Sequence, residues 1–332
     1  MPPPPPQPRT DTVFDHVHIG SDSKIADFHV ATAAVDLQTG APFASVTLAI
    51  DLASPCFPFS NWQTDVPPAG QNWPADCDAF DRNFEITLDD PVALATTPPA
   101  IELMRAITPF GGPMHLDIDM TDIANGLPGM HTVRVMIPSY SDPAGKVSGS
   151  AGGWYISGTL NVMPGPAPRK VLAVIPLFND TQTTPDPEPA VPFKVPAGVT
   201  DARIEYRVTG HGGGPAGGQC IGPAEEFCHR QHAVLVDEAK LKDVDPWRTD
   251  CATLCTVMTY GTLMYCAENP TGNMASVRAP RANWCPGSVT PPFNIDGAPL
   301  TTAGDHTFRF TINDVAMGGN WRVSAVYLAF GG

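Results

Sequence analysis

Proline and glycine interrupt this chain so often that a fold built from long helices is excluded. The 332 residues include 38 prolines and 30 glycines. Proline removes a backbone hydrogen-bond donor and glycine frees the backbone, so both residues mark turns between short segments. We therefore predict an all-β chain, with at most a short helical turn in MTDIANGL at residues 120–127.

The apolar residues between these turns recur at every second position, as they do in half-buried strands. In NFEITLDD, for example, Phe84, Ile86 and Leu88 share one face. Similar runs are SVTLAIDLA, HTVRVMIP and GWYISGTLNVM before the segment PGPAP, and KVLAVIPLF, ARIEYRVTG, HAVLVDEAKL, HTFRFTIND and WRVSAVYLAF after it. Two antiparallel β-sandwiches lying side by side would bury such strands.

The segment PGPAP, residues 164–168, is the best candidate for a linker between two domains. We predict a proline-rich tail at residues 1–12, a first domain at residues 13–164 and a second domain at residues 169–332. No apolar run approaches the roughly 20 residues of a membrane span, so we expect a soluble chain.

The charge of the chain argues against a nucleic-acid or membrane partner. The net charge is −15 with only 19 lysines and arginines, and no basic face is visible. Nucleic acids and anionic membranes attract basic surfaces, which this chain lacks. The low pI of about 4.8 is compatible with acidic surroundings.

Eight cysteines without a CxxC pair indicate disulfides rather than a structural zinc site, which needs closer pairs. Disulfides persist in oxidising compartments, so we expect a secreted or periplasmic protein. Met1 is followed by PPPPPQP and not by a signal peptide, which suggests a processed chain. Six of the eight cysteines lie within residues 220–285, where loops pinned by disulfides are candidates for function.

The most informative acidic stretch is CDAFDR, residues 77–82, directly before a predicted strand. Asp81 could act as a general base or nucleophile in a loop fixed by Cys77. The local sequence favours the alternative, in which Asp81 caps a turn or pairs with Arg82. Asp78 is better suited to supporting the turn than to chemistry.

Two further charged motifs lie next to cysteines in the second half of the chain. Glu225 and Glu226 stand in CIGPAEEFCHRQH, where a rigid carboxylate could relay a proton or clamp a ligand, or simply face solvent. Arg281 stands in APRANWCPG, where it could bind a carbonyl while Trp284 stacks on a sugar. Packing of Arg281 on Trp284 is the alternative.

Histidine patterns provide only a weak metal signal. His229 and His232 form HxxH, but they would point to opposite faces if residues 225–236 are one strand. Asp15, His16 and His18 offer ligand types at alternating positions, but ordinary strand histidines are the favoured explanation. We expect no metal and no cofactor. No GxSxG, P-loop or HExxH motif occurs.

Four motifs in order resemble the peptide-N-glycosidase F family: CDAFDR, ITPFGGPMHLDIDMTD, GHGGG followed by CIGPAEEFCHRQHAVLV, and APRANWCPG. The resemblance runs from about Phe14 to the C-terminus. It implies two side-by-side eight-stranded antiparallel jelly rolls and hydrolysis of the amide that joins an N-glycan to asparagine. The implied substrates are N-linked glycoproteins or glycopeptides, gripped through the chitobiose core by a monomeric secreted enzyme of bacterial type.

The resemblance also assigns roles to individual residues. It places the catalytic groups at Asp81, Glu226 and Arg281. Substrate contacts are implied for Arg82, Phe80, Trp284, His211, Phe227 and Tyr140. The implied disulfides are Cys56–Cys77, Cys220–Cys228 and Cys251–Cys285, which leaves Cys255 and Cys266 to pair with each other.

The sequence departs from the family at the rim of the implied site. Pro138 stands where the family has a second glutamate, and the next carboxylate is Asp142. Phe80, Tyr140, His211 and Phe227 stand where the family has tryptophans. A missing carboxylate neighbour should let Asp81 ionise at lower pH, which suggests an acidic pH optimum.

Two other functions fit parts of the sequence. A glycan-binding double jelly roll without activity would explain Pro138 and the missing tryptophans, although it would not explain why Asp81, Glu226 and Arg281 are retained together. A copper monooxygenase shares the two-sandwich architecture, but the histidines here do not reproduce its ligand set. Amide hydrolysis is therefore the function that the sequence favours.

Overall fold

The computed structural model describes residues 7–22, 24–38, 42–58, 64–89, 99–140, 148–183, 188–213 and 220–332. The first half contains eight strands, which are β1 (Arg9–Gly20), β2 (Val30–Asp36), β3 (Phe43–Ala53), β4 (Asn83–Leu88), β5 (Ile101–Ile107), β6 (Met114–Asp119), β7 (Met130–Met136) and β8 (Gly153–Pro164). They form one sheet in the order β1-β8-β3-β6 and a second sheet in the order β5-β4-β7-β2.

The second half builds two more four-stranded sheets. Its strands are β9 (Lys170–Thr183), β10 (Ala190–Val195), β11 (Asp201–Gly212), β12 (His232–Val236), β13 (Ala239–Val244), β14 (Val257–Tyr260), β15 (Leu263–Cys266), β16 (Ser288–Val289), β17 (Phe293–Ile295), β18 (Gly304–Ile312) and β19 (Gly319–Gly331). The sheet orders are β9-β19-β11-β17 and β10-β18-β12-β13, while β14 and β15 form a separate hairpin.

The two halves share one topology. Counting the eight sandwich strands of each half along the chain, the first, eighth, third and sixth form one sheet. The second, seventh, fourth and fifth form the other, and all strand pairs are antiparallel. This is the jelly-roll order, so the predicted pair of eight-stranded antiparallel jelly rolls is confirmed.

Three details differ from the sequence predictions or refine them. β1 begins at Arg9, within the predicted tail, because Arg9 already pairs with Val162 of β8. Residues 225–236 are not one strand, since Glu225–Phe227 form a 3₁₀ turn and the strand begins at His232. The short helix Thr121–Gly126 confirms the turn predicted at residues 120–127.

The four sheets stack as consecutive layers, with the β5-β4-β7-β2 sheet facing the β9-β19-β11-β17 sheet. Along β19, alternate residues Val326, Leu328 and Phe330 pack into the hydrophobic core of the first half. The alternate residues Ala325, Tyr327 and Ala329 point the other way and pack into the core of the second half. The second half also adds β16 to the edge of β5. One apolar cluster therefore spans both halves of the chain.

The contact between the inner sheets is also charged. Arg105 of β5 donates to the Glu102 carboxylate from Nε at 2.8 Å and from Nη2 at 2.7 Å. Its Nη1 donates to Thr209 of β11. Arg322 of β19 binds Glu85 of β4 through two hydrogen bonds of 2.9 Å. All strand positions of β5 are buried. The predicted alternation of Phe84, Ile86 and Leu88 holds, but Glu85 on the opposite face is buried as well.

Both halves carry the same polar clamp where the fourth strand ends and the seventh begins. In the first half, His131 contacts Asp89 and the carbonyl of Leu127. In the second half, His306 contacts Asp237 and the carbonyl of Thr302. The two halves thus share this side-chain arrangement as well as their strand order, although their sequences show no repeat.

Four disulfides join the cysteines in the predicted pairs, namely Cys56–Cys77, Cys220–Cys228, Cys251–Cys285 and Cys255–Cys266. All four predictions are confirmed. Within the described ranges, no helix has the length and apolar character that crossing a membrane requires.

Candidate active site

The loop that carries Asp81 is held by a buried ion pair. The Asp78 carboxylate accepts hydrogen bonds from the Arg82 Nε at 3.0 Å and Nη2 at 3.2 Å, and from the Phe80 amide at 3.1 Å. Thr108 accepts from the Arg82 amide at 2.8 Å. Arg82 is therefore the partner of Asp78 and not of Asp81, and Asp78 supports the turn as expected.

A segment of the second half fastens the same loop from outside. The Thr271 hydroxyl donates to the Ala79 carbonyl at 2.9 Å. The Asn269 side chain accepts from the Phe110 amide at 3.0 Å and donates to the Pro286 carbonyl at 3.3 Å. The position of Asp81 thus depends on both halves of the chain.

Glu226 and Arg281 pair in the second half of the chain, and the region between this pair and the Asp81 loop is called the cleft. Arg281 Nη1 donates to Glu226 Oε1 at 3.1 Å, while its Nη2 donates to the carbonyl and hydroxyl of Ser276 at 2.6 and 2.9 Å. The Ala282 amide donates to the Glu226 carbonyl at 2.8 Å, which ties the two segments together. Arg281 is buried, whereas Glu226 is partly exposed.

Electrostatic interactions couple the three predicted catalytic residues. Burial raises the pKa of Asp81 to about 6, with the positive charge of Arg281 opposing this shift and the negative charge of Glu226 adding to it. Burial also raises the pKa of Glu226, against the effect of Arg281. The structure therefore brings Asp81, Glu226 and Arg281 into one site, with one carboxylate poised to change its charge near neutral pH.

Aromatic rings flank both guanidinium groups. The Arg82 guanidinium lies 4.9 Å from the Phe80 ring centre and 4.3 Å from the Tyr140 ring centre. Tyr140 is exposed, so its ring is available at the rim. Arg281 likewise lies 4.9 Å from the Phe227 ring centre.

Trp284 does not present a face to a sugar, in contrast to its predicted substrate contact. Its side chain is 2% exposed, and its indole N–H donates to the Gly210 carbonyl at 2.9 Å. One contact of the ring is the Arg281 guanidinium at 4.3 Å, and another is the stacked His211 ring at 5.4 Å. Trp284 therefore packs beneath Arg281, as the alternative interpretation has it.

His211 is a neutral group in this site. Burial, together with the charge of Arg105, lowers its pKa to about 3. Its Nε2 lies 2.8 Å from the Thr209 hydroxyl, which is a hydrogen bond between side chains. At the pH values where Asp81 titrates, His211 can contact a substrate only as an uncharged imidazole.

Glu225 is the residue that sequence reasoning missed. It is fully buried and accepts hydrogen bonds from Arg230 at 2.8 and 3.0 Å, from Trp321 Nε1 at 2.9 Å and from the Ala316 amide at 2.8 Å. The sequence offers one signal, which is the arginine five residues after Glu225. Glu225 holds the 3₁₀ turn that presents Glu226 to the cleft.

The expected departure from the family lies at the end of β7. Pro138 follows directly after this strand, and the adjacent Ser139 is buried. No carboxylate is available at position 138, and Asp142 lies outside the described residues. The site therefore contains Asp81 and Glu226 as its acidic groups among the residues whose placement is known.

The histidine patterns do not converge on a metal site in the described parts of the chain. His16 stacks on Tyr155 at 4.4 Å, and His229 bonds Asp245. His232 is buried beside the Tyr206 hydroxyl at 3.0 Å. Among these described residues, ligand atoms cluster only at Asp250, Cys251 and Cys285, where the two sulfurs form a disulfide.

Comparison with known proteins finds one family model and several solved structures that resemble this chain. Residues 178–328 match the family model described as Peptide-N-glycosidase F, C terminal. No curated protein matches the chain in a sequence comparison. The resemblance to the peptide-N-glycosidase F family is confirmed: the second half of the chain matches the family model, and the whole fold is similar to a solved amidase structure.

Solved structures share the whole fold. The amidase described as peptide-N(4)-(N-acetyl-β-D-glucosaminyl)asparagine amidase is 16% identical, with a TM-score of 0.71 and coverage of 98% of this chain and 96% of its own. PNGase F, a glycosylasparaginase from Flavobacterium meningosepticum, is 15% identical with a TM-score of 0.69 over 98% of this chain and 96% of its own.

PNGF-II is 23% identical, with a TM-score of 0.68 over 97% of this chain. The chain spans 66% of the length of PNGF-II. At these identities the likeness shows the double-sandwich fold.

Proposed function

We propose that the protein hydrolyses the amide bond between an N-glycan and asparagine, which converts the asparagine to aspartate. The observation that carries the proposal is the coupling of Asp81 to Glu226 and Arg281 across a cleft between two jelly rolls. The family match over residues 178–328 supports the same reaction. We propose N-linked glycoproteins or glycopeptides as substrates, an extracellular site of action and a reaction without a metal.

The residues can be assigned roles from their surroundings. Amide hydrolysis needs an activated water and a donor for the tetrahedral oxyanion. Asp81, with its raised pKa, would orient and deprotonate the water. Arg281 would face the oxyanion, because its Nε is buried without a hydrogen-bond partner among the described residues. Arg82 is committed to Asp78 and is the weaker candidate for that role.

Glu226 would bind the sugar next to the scissile amide and protonate the leaving nitrogen. Its raised pKa keeps a larger protonated fraction near neutral pH than an ordinary glutamate has. Partial exposure leaves it accessible from the cleft. Tyr140 and Phe80 would contact substrate at the rim, and His211 would contribute only as a neutral group.

The pH profile of kcat/KM should fall below about pH 6 if ionised Asp81 is the active form. Pro138 removes one negative neighbour, but burial and Glu226 still raise the pKa of Asp81. The pH optimum should therefore be less acidic than the sequence suggests, because Asp81 becomes protonated and inactive as a base below about pH 6. An acid limb near pH 4, the ordinary pKa of aspartate, would contradict the assignment.

The Glu226→Gln variant checks the cause of that shift. Removing the negative charge should move the pKa of Asp81 to lower pH, because the like-charge repulsion is lost. Carbon NMR of the Asp81 carboxyl group measures this directly without requiring activity. An unchanged titration of Asp81 would show that Glu226 does not act on it.

Incubation with a glycopeptide, followed by mass spectrometry, tests the proposed function. The expected products are the released glycan and a peptide whose asparagine has become aspartate. Treatment with a chelator should leave the rate unchanged. Calorimetric binding of the glycopeptide without any release would instead favour the glycan-binding alternative, for which Pro138 and the buried Trp284 are the supporting observations.

A further inference from the structure

The hairpin β14–β15, residues 255–266, is not explained by the family motifs. It forms a separate two-stranded sheet that is closed at its base by Cys255–Cys266. Isolated hairpins are marginally stable in water, and the disulfide restrains this one. A stapled element outside both sandwiches requires an explanation beyond the stability of the cores.

The 255–266 hairpin exposes an apolar surface. The register pairs Met258 with Tyr265 and Tyr260 with Leu263, so these four side chains share one face. The exposed fractions are 44% for Met258, 48% for Tyr260 and 50% for Leu263, and Met264 on the other face is 53% exposed. A hairpin that stabilised only itself would have polar residues at these positions.

The 255–266 hairpin also lacks charge. Its sequence, CTVMTYGTLMYC, contains no acidic or basic residue in a chain of net charge −15. A charged ligand would find no partner on it. Methionine side chains are flexible and polarisable, so they adapt to apolar surfaces of varied shape. The chemistry of this hairpin therefore suits apolar side chains of many different sequences and does not suit a polar glycan or an anionic membrane.

The base of the hairpin is attached to both sides of the candidate active site. Asn269 bridges to Cys266, and Thr271 donates to the Ala79 carbonyl, two residues before Asp81. On the other side, the short helix Met274–Arg278 contacts β15, and its Ser276 accepts two hydrogen bonds from Arg281. The 255–266 hairpin thus stands at the rim of the cleft.

We propose that this hairpin binds the polypeptide part of the substrate, in an unfolded segment that exposes apolar side chains. The proposal rests on the proposed function, because a glycan attached at the cleft would bring its polypeptide to this rim. Apolar contacts of Met258, Tyr260 and Leu263 would retain a long unfolded chain more strongly than a glycopeptide of a few residues, which offers fewer apolar side chains.

The test compares two substrates with the double variant Met258→Thr/Leu263→Thr. One is a reduced and alkylated glycoprotein, and the other is a glycopeptide of a few residues cut from it. The preference for the long chain, as the ratio of the two kcat/KM values, should fall about tenfold, mainly through KM. The matched control is Met130→Thr/Met163→Thr, which changes two exposed methionines on the first jelly roll and should keep the wild-type ratio.

Three outcomes would overturn the proposal. An equal loss on both substrates would assign the hairpin to the structure of the site, and an unaltered ratio would leave it without a role in binding. The third outcome is a wild-type dimer, seen in sedimentation, that dissociates on dilution and that the double variant cannot form. In that case the apolar face of the hairpin would bind a second copy of the protein and not the substrate.

A binding measurement separates this proposal from the proposed function. A reduced and alkylated polypeptide without glycans should bind the wild type, and it should bind the double variant at least tenfold more weakly. This difference is expected even if no glycan is released from any substrate. Absence of binding to the wild type would overturn the docking role while leaving the amidase reaction intact.

Discussion

The Asp81→Asn variant is expected to lose about 10³-fold in glycan release at pH 7, while remaining fully folded. The amide side chain of asparagine is not basic enough to take a proton from the attacking water. The folded-state pKa of Asp81, about 6, lies above its unfolded value, so stability is present at low pH and is lost as pH rises through 6. Removing the ionisable group should therefore leave the variant at least as stable as the wild type at pH 7.

The measurements are single-turnover release from a glycopeptide and thermal unfolding at pH 7. The control is Asp65→Asn, which removes an exposed carboxylate from the disulfide-closed loop between Cys56 and Cys77, just before the Asp81 loop. This control should keep wild-type activity. Activity of Asp81→Asn above about a tenth of the wild-type rate would remove Asp81 from the mechanism, since a general base contributes more than that.

The Glu225→Gln variant is expected to lower the free energy of unfolding by about 3 kcal/mol. The single amide oxygen can accept from either Trp321 or the Ala316 backbone but not from both, and the charge of Arg230 is left buried and unpaired. Breaking one side of a buried ion pair costs more than its net contribution, because the remaining charge has no solvent. Chemical denaturation measures the change.

The neighbouring Glu226→Gln variant provides the matched comparison. Its amide oxygen can still accept from Arg281, and the buried guanidinium keeps Asp81 as a second negative neighbour, so a loss of about 1 kcal/mol is expected. Activity, by contrast, should be lost with Glu226→Gln. Equal loss of stability in the two variants would contradict the different roles that the structure gives to these adjacent glutamates.

The sequence predicts the strands and the disulfides well, for different reasons. Alternation at Phe84, Ile86 and Leu88 reports that one face of a strand is buried, which is a local property. The cysteine pairs and the jelly-roll order come from the resemblance, since spacing alone leaves many connectivities open. The same motifs indicate Asp81, Glu226 and Arg281 as candidate catalytic residues, and each of them lies near a disulfide that fixes its loop.

The sequence does not reveal what covers the second face of a strand. Glu85 looks like a solvent-facing residue between apolar neighbours, yet Arg322 reaches it from a strand more than 200 residues away. Glu225 and Glu226 have the same local surroundings, and only the packing of Trp321 tells them apart. The sequence offers two interpretations of Trp284, stacking on a sugar or packing with Arg281, and only the burial of its ring decides between them. These assignments depend on contacts distant in sequence, which a local pattern cannot contain.

The strand β16 has a consequence for how the molecule folds. The second half gives β16 to a sheet of the first half, and Val326, Leu328 and Phe330 complete the core of that half. Neither half is therefore a complete cooperative unit, because separating them exposes apolar side chains and the buried charges of Glu85 and Arg322. The cleft is assembled in the same event that closes the two cores, so a chain that has folded only in part has no active site.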